Sequence, residues 1–357
     1  MPPAPPLLHD LACVVHLHST YSDGTGTVPQ IAAAAADAGV DVVLLTDHDT
    51  LEAKRRGEEG WYGSVLLLVG EEVSPRGRNH YLAFGLDEPI DHSGLDSAGI
   101  VRAVTEAGGF GFAAHPWSKG SERFRRVIAA LPFHDIETAG LTGIEMWSFL
   151  TDGGESVGSV WDFVRFLARP IDVLDHPPEL NMQTWDRLCA ARRTVAIGGL
   201  DAHQIGVRVA GRVPVRLMAY RRSFRQMCTH VLCEELPTGE LDRDRDQVYD
   251  ALREGRCYIA VDALAPARGF SFWAEAPDGR VLPMGAEAPA GDWVLRASVP
   301  RPAQLRLRRD SNEVASALGG EVAHPAGGEA GVYRVTATLE HRGRDRTWIV
   351  SNPIYLR

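Results

Sequence analysis

Six short apolar runs in the first two-thirds of the chain each end in, or run directly into, ionisable residues, and no other feature constrains the fold as much. The runs are ACVVHLH from residue 12, DVVLLTDHD from 41, VLLLVGEE from 65, GFGFAAHP from 109, GIEMW from 143 and TVAIGGLDAH from 194. Helix-like stretches separate several of them: the Ala-rich segment from Gln30 to Gly39, then IVRAVTEAGG, RRVIAALP and TWDRLCAARR. Strands alternating with helices predict an α/β fold of parallel strands joined by crossovers. Such sheets and barrels build their sites at the carboxyl ends of the strands. A purely structural chain has no reason to confine its polar residues to one end of each run.

Beyond about Arg216 the texture changes. A charged stretch, ELPTGELDRDRD, leads into a helix-like QVYDALREG, followed by short runs broken by Gly, Pro, Asp and Asn. Leu305 and Leu307 alternate with Gln304, Arg306 and Arg308, while Tyr333, Val335, Ala337 and Leu339 recur at every second position. Period-two alternation marks half-buried antiparallel strands, so a small all-β sandwich is expected here. The expected division is 1–230 for the α/β region, 231–257 for a connector with one short helix and 258–357 for the sandwich.

The 357 residues suffice for one barrel and one small module, and 45% hydrophobic residues suffice for a sizeable core. A net charge of -10 speaks against a long nucleic-acid partner, although bound cations would offset part of it. The five cysteines (Cys13, Cys189, Cys228, Cys233 and Cys257) form no C-x-x-C pair and read as buried thiols of a reducing compartment. There is no signal-peptide pattern and no apolar run of membrane-spanning length, so the expectation is a cytoplasmic protein without a membrane partner.

His16-Leu17-His18 can present two imidazoles to one ion, because residues two apart in a strand share a face. Asp23 lies in the loop that follows. Asp47, His48 and Asp49 end the second run, Glu71 and Glu72 the third with His80 shortly after, His115 the fourth, and Asp201 and His203 the last. Any one of these is an ordinary polar residue. Together, at one strand end after another, they read as ligands of Mn2+, Zn2+ or Fe2+, ions that accept imidazole and carboxylate alike. Arg76 and Arg78 before His80, Lys119 after His115 and Arg208 after His203 give the expected pocket mouth a basic bias, with Arg208 the leading candidate. Absence of GxSxG, of a P-loop and of GxGxxG removes serine hydrolases and nucleotide-binding folds.

Taken in order, HLHSTYSDG, LLTDHDT, GEEVS with NHYLAFG, AAHP and GLDAH resemble the PHP (polymerase and histidinol phosphatase) superfamily over about Leu11 to Arg208. The resemblance implies a distorted (β/α)7 TIM-like barrel with a trinuclear site for two to three divalent ions. It implies His16, His18, Asp23, His48, Glu72, His80, His115, Asp201 and His203 as the metal ligands, with Glu72 rather than Glu71 as the bridging carboxylate. By the same resemblance His16, His18, Glu72 and Asp201 hold the first ion. Glu72, His80 and His115 hold the second, and Asp23, His48 and His203 the third. Glu145 matches a strand-end Glu of the family that tunes a ligand or touches substrate. Asp47 is expected to orient an imidazole and Asp49 to cap a helix.

The implied activity is hydrolysis of a small phosphomonoester or phosphodiester by a metal-bridging hydroxide. Glu72, Asp201, His203 and Arg208 are the expected catalytic residues, with Arg76, Arg78, Lys119 and Glu145 at the substrate. Phosphate suits such a site because its transition state spreads negative charge over several oxygens. The C-terminal TWIVSNPIYLR resembles a branch similar to carbamate-ester hydrolases of the carbaryl-degrading type. That resemblance makes a carboxyl- or carbamate-ester hydrolase the second reading. A metal-binding scaffold without activity is the third, and the full ligand set counts against it.

Overall fold

The computed structural model describes residues 7–121, 129–137, 140–204, 206–209, 212–216 and 218–357, with side chains described outside 205–217. Strand β1 (His9–Val15), helix α1 (Val28–Ala38) and strand β2 (Val42–His48) come first. Next are α2 (Glu52–Arg55), β3 (Gly60–Tyr62), β4 (Val65–Val73), β5 (Tyr81–Phe84), α3 (Ser97–Glu106), β6 (Phe110–Ala113) and β7 (Gly143–Ser148). Then α4 (Phe149–Glu155), α5 (Val160–Ala168), a 3-10 turn at Pro170–Val173 and α6 (Glu179–Ala191) lead to β8 (Val195–Gly199). The first four residues of the expected helix RRVIAALP lie outside the described residues.

Local chemistry sets these bounds. Pro29 fits the first turn of α1, the Gln30 side chain accepts from the Thr27 N–H at 3.2 Å, and Gly39 ends the helix at φ 77°. All nine residues of β4 are buried, as in a strand covered on both faces.

β1, β2 and β4 pair in parallel, and so do β6, β7 and β8. β5 corrects the expectation of parallel strands: it runs antiparallel to both β4 and β6. Its connection explains why. Only residues 74–80 separate it from β4, whereas a parallel return needs roughly a dozen residues or more. Past Gly199 the chain returns to β1. Leu200 N–H donates to Val15 O at 2.9 Å, Ala202 N–H to His16 O at 3.2 Å, and His18 N–H to Ala202 O at 3.0 Å. The path β1-β2-β4-β5-β6-β7-β8 therefore meets itself at the carboxyl ends of β8 and β1.

β9 (Gly206–Val209), β10 (Arg212–Arg216), α7 (Tyr220–Phe224), β11 (Cys228–Cys233) and α8 (Leu241–Arg253) link this region to the next. There β12 (Cys257–Ala260), β13 (Ser271–Glu275), β14 (Val281–Pro283), β15 (Glu287–Ala288) and β16 (Val294–Arg309) precede the last four strands. Those are β17 (Asn312–Pro325), β18 (Gly331–His341), β19 (Arg344–Ser351) and β20 (Ile354–Leu356). Their pairing is antiparallel except between β15 and β20, and they surround a second apolar core that includes Trp293, Leu305, Tyr333 and Trp348. The β16–β17 hairpin shifts register between Ser298 and Ala303, where Pro300 and Pro302 have no N–H to give.

The two regions share hydrogen bonds. β11 pairs with β1 on one edge and β12 on the other, and β12 pairs with β19. Asn352, in the SNPIY stretch, acts as a short strand beside β8. Its side chain accepts from Ala196 N–H at 2.8 Å and donates to Ala196 O at 2.9 Å and to Cys257 O at 2.8 Å. Among the described residues no helix is long and apolar enough to cross a membrane, and the five cysteines are free and buried.

Candidate metal centre

The strand ends bring the nine implied ligands together, around Glu72. Its Oε2 lies 3.2 Å from His16 Nε2, 3.3 Å from His18 Nε2 and 3.2 Å from His48 Nδ1. Its Oε1 lies 2.8 Å from His80 Nδ1 and 3.4 Å from His115 Nε2. Asp201 Oδ1 is 3.4 Å from both His16 Nε2 and His18 Nε2. Asp23 Oδ1 is 3.2 Å from His203 Nε2, 3.7 Å from His48 Nε2 and 3.8 Å from His18 Nδ1.

Ligand atoms within 4.8 Å of one another form four overlapping groups: His18 with Asp23, His48 and His203; His16 with His18 and Glu72; His16 with His115 and Asp201; His48 with Glu72 and His80. His18 thus faces the Asp23 group as well as Glu72. A gradient of exposure runs through the cluster: His16, His18 and Glu72 are sealed, whereas Asp23 is 59% exposed and marks the mouth.

Among the described residues, several buried atoms of this cluster have no hydrogen-bond partner: His16 Nε2, both ring nitrogens of His18, His115 Nδ1 and Glu72 Oε2. Buried polar atoms are nearly always bonded, so the orphans that meet around Glu72 Oε2, with His16 Nε2 and His18 Nε2 among them, call for a ligand. Imidazole and carboxylate donors at such spacing fit borderline divalent ions. The backbone is strained at the same place. His16, His115 and Asp201 take φ of 64°, 27° and 50°, values that side chains rarely adopt, as each strand end turns its ligand inward.

Surrounding residues fix the ligands. Glu145, in the middle of β7, has no exposed surface. Its Oε1 is 3.0 Å from His16 Nδ1, and its Oε2 accepts from His115 N–H at 2.7 Å. Gly199 makes room for it, since a Cβ there would stand 1.9 Å from Glu145 Oε1. Ser74 Oγ is 2.6 Å from His48 Nδ1, Thr151 Oγ1 donates to Asp201 Oδ2 at 2.8 Å, and His203 Nδ1 meets Asp201 O at 2.8 Å. Such contacts fix which ring nitrogen faces the centre.

Charge follows the same geometry. Burial opposes ionisation throughout, but for most of the cluster the neighbours win. His16 is raised by Glu145, Glu72 and Asp201, His115 to about 8 chiefly by Glu72, and His203 to about 9 chiefly by Asp23. Asp23 is pulled down to about 2, first by His203, and Glu72 and Asp201 fall well below the ordinary carboxylate range beside their imidazoles. His18 goes the other way, to about 3, because burial and then His203 disfavour its charge. Glu71 faces away: it accepts from Ile90 N–H at 2.8 Å, and burial lifts it to about 7.

Other expected site residues lie elsewhere. Glu145 touches ligands, not the open mouth, because it is sealed behind His16. Asp47 orients no imidazole; it braces the loop before Asp23, accepting from Ser19 N–H at 2.7 Å and from the Ser19 and Ser22 hydroxyls at 2.6 Å each. Asp49 caps no helix. It accepts from Ser74 N–H at 2.7 Å and faces His92 at 3.1 Å, and Leu51 holds the cap position of α2. Arg76, Arg78 and Lys119 are exposed and make no ion pair among the described residues. Arg208 falls on β9, and its side chain is outside the described residues. Ser74 closes the GEEVS motif two residues after Glu72, whereas Thr151 and Tyr220 support the centre without a sequence signal of their own, and only the fold brings them to it.

No family model matches the chain. An 80-residue segment is 39% identical to phosphoribosyl 1,2-cyclic phosphate 1,2-diphosphodiesterase of Eggerthella lenta. That segment is 21% of this chain and spans 30% of the relative's length, under a third of it. Among solved structures the chain is similar to a two-domain protein from Bacteroides vulgatus containing a predicted PHP-like metal-dependent phosphoesterase. The TM-score is 0.43 at 16% identity, covering 98% of this chain and 97% of that one. It is also similar to a candidate metal-dependent phosphoesterase from Bifidobacterium adolescentis, with a TM-score of 0.36 at 18% identity, covering 60% and 93%.

Proposed function

We propose that this chain is a PHP-type metal-dependent hydrolase of small phosphate esters, with a trinuclear centre at the carboxyl ends of its strands. The observation that carries this reading is Glu72, a sealed carboxylate with five imidazoles around its two oxygens and one of those oxygens left without a hydrogen bond. A lone buried carboxylate would bond one or two donors; one that faces five ring nitrogens is arranged to bridge cations. We read the self-meeting path of seven strands as the distorted (β/α)7 barrel and the second apolar core as a β-sandwich. The division remains 1–230, 231–257 and 258–357, with β11 crossing the first boundary and β12 the second.

His16, His18, Glu72 and Asp201 would hold the innermost ion, Glu72, His80 and His115 the second, and Asp23, His48 and His203 the outermost, with His18 within reach of both ends. Bound divalent ions supply Lewis acidity and a nucleophile at neutral pH. The chain's own part is positioning. Glu145 orients His16 and pins the backbone of His115, Thr151 holds Asp201, and Ser74 holds His48. Arg76, Arg78 and Lys119 stand on loops adjoining His80 and His115, free to meet a phosphate at the mouth, and Arg208 is read the same way from its sequence position. The segment matched to a cyclic-phosphate diesterase favours a diester over a monoester.

The test is hydrolysis of a chromogenic phosphodiester, phosphomonoester and carboxyl ester by the purified chain, with Asp201→Ala as control. Diester turnover that chelation and the variant both abolish is the expected result. Turnover of the carboxyl ester alone would replace the phosphate reading with the carboxyl- or carbamate-ester one, and inert protein would leave a scaffold.

A further inference from the structure

Three of the four outermost ligands hang from backbone that a single phenol holds together. Tyr220 opens α7 and is 1% exposed. Its hydroxyl lies 2.6 Å from the carbonyl oxygen of His18 and 3.2 Å from that of His203, and Gly26 N–H points to it at 3.4 Å. The hydroxyl's one proton goes to His18 O, the nearer carbonyl, with His203 O within reach of the same proton, and its oxygen accepts from the loop that carries Asp23.

The packing is close on both sides of this contact. A Cβ on Gly26 would stand 2.5 Å from Tyr220 Cε2, and one on Gly24 would stand 2.0 Å from His18 O. Thr25 runs alongside, its N–H donating to His203 O at 3.1 Å and its hydroxyl to Gln204 O at 2.6 Å. His48, the fourth outer ligand, is held separately through Ser74. Tyr220 makes no hydrogen bond to His16, Glu72, His80 or His115 among the described residues.

We propose that Tyr220 is a positioning residue that fixes the spacing of His18, Asp23 and His203 and so sets the occupancy of the outermost ion. This rests on the three-ion reading above. The phenol acts on backbone, not on any ring nitrogen, so losing its oxygen loosens the outer group; His18, shared with the innermost ion, keeps its N–H bond to Ala202 O at 3.0 Å, and the other inner ligands keep their own supports. Partners one step behind a metal ligand typically change affinity by roughly 10–100-fold.

The experiment is equilibrium dialysis against Mn2+ over a range of free concentrations, for the wild type, Tyr220→Phe and Asp23→Asn. The expected result is three Mn2+ per wild-type chain. In Tyr220→Phe the Glu72–His80–His115 site should be unchanged, the outermost site weakened by roughly 10–100-fold, and the innermost, which shares His18, weakened less than the outermost. Asp23→Asn should weaken the outermost site. Phenylalanine keeps the ring, and the melting temperature of the metal-free variant should stay close to wild type. A third site of unchanged affinity, equal weakening of all sites, or a collapsed metal-free melting temperature overturns the proposal. A wild type that binds only two ions sinks the three-ion reading and this proposal with it, and that outcome is visible before any variant is measured.

Discussion

β1 carries a buried cluster of histidine and carboxylate at each of its ends, and the two clusters differ in whether their atoms have partners. Near the start of β1, His230 is 1% exposed, with Nδ1 2.7 Å from Asp10 and Nε2 3.1 Å from Asp262. Asp10 also accepts from Tyr258 Oη–H at 2.6 Å and Gly269 N–H at 3.1 Å, and Asp262 accepts from Ala267 N–H at 3.1 Å. The Tyr258 ring stacks on the imidazole with centroids 4.6 Å apart. At the far end of β1, His18 is as deeply buried and has neither ring nitrogen bonded. Leaving a buried polar group unpaired costs about 1–3 kcal/mol, so an unsatisfied cluster is explained by a ligand and a satisfied one by its own bonds. His230 is a lock that ties β1 and β11 to the loop after β12, whereas the His18 cluster is, on the proposed reading, the one that a ligand completes.

The sharpest break in this contrast should come from Asp201→Ala. It removes a carboxylate shared by His16 and His18 and should lower turnover by about a thousandfold or more, with bound metal lost in parallel. Mass spectrometry of the native protein beside a rate assay checks it. His230→Ala should do the reverse. It takes the imidazole from between Asp10 and Asp262, which keep only their bonds from Tyr258, Gly269 and Ala267, so denaturant melts should show a loss of about 3–5 kcal/mol, while metal content per folded chain stays at the wild-type value. If His230→Ala lost metal but not stability, the assignment of the two clusters would be inverted.

Glu145→Gln sits between these extremes. It keeps the shape behind His16 but weakens the hold on its ring, and metal affinity should fall by roughly 10–100-fold with little change in melting temperature. The smallest effect is that of pH on the lock. Burial works against charge on His230, but Asp10 and Asp262 outweigh it and raise its pKa to about 9, above the ordinary ~6.5. A group raised in this way contributes stability that is complete below about pH 6.5 and is lost as pH rises through about 9. Metal-free protein should therefore lose on the order of 1–3 kcal/mol over that interval, and His230→Ala should lose less.

The site was more legible in the sequence than the fold that builds it. Its ligands follow apolar runs one after another, because a strand end is where a chain can place a polar side chain at a pocket without breaking its core. The choice of Glu72 over Glu71 came from family resemblance, and the structure shows its physical counterpart: in β4 adjacent residues point to opposite faces, so Glu71 meets Ile90 and not the imidazoles. Antiparallel β5 was hidden behind the alternation of strands and helices, although the short span 74–80 is what forbids a parallel return. Of the supports of the site, Glu145 is marked only by family resemblance, as a residue that tunes a ligand or touches substrate, and Tyr220 by nothing in the sequence. Glu145 meets His16 across 129 positions and Tyr220 meets His18 across 202, and neither pair has a local pattern. His230 has no local pattern for the same reason, since Asp10 lies 220 positions away.

Anomalous diffraction from crystals grown in Mn2+ compares the two ends of β1 in one measurement. Peaks should lie among His16, His18, Asp23, His48, Glu72, His80, His115, Asp201 and His203, with none beside His230. A map without density around Glu72, or with a peak between Asp10 and Asp262, would contradict the reading of one end as a metal centre and the other as a lock.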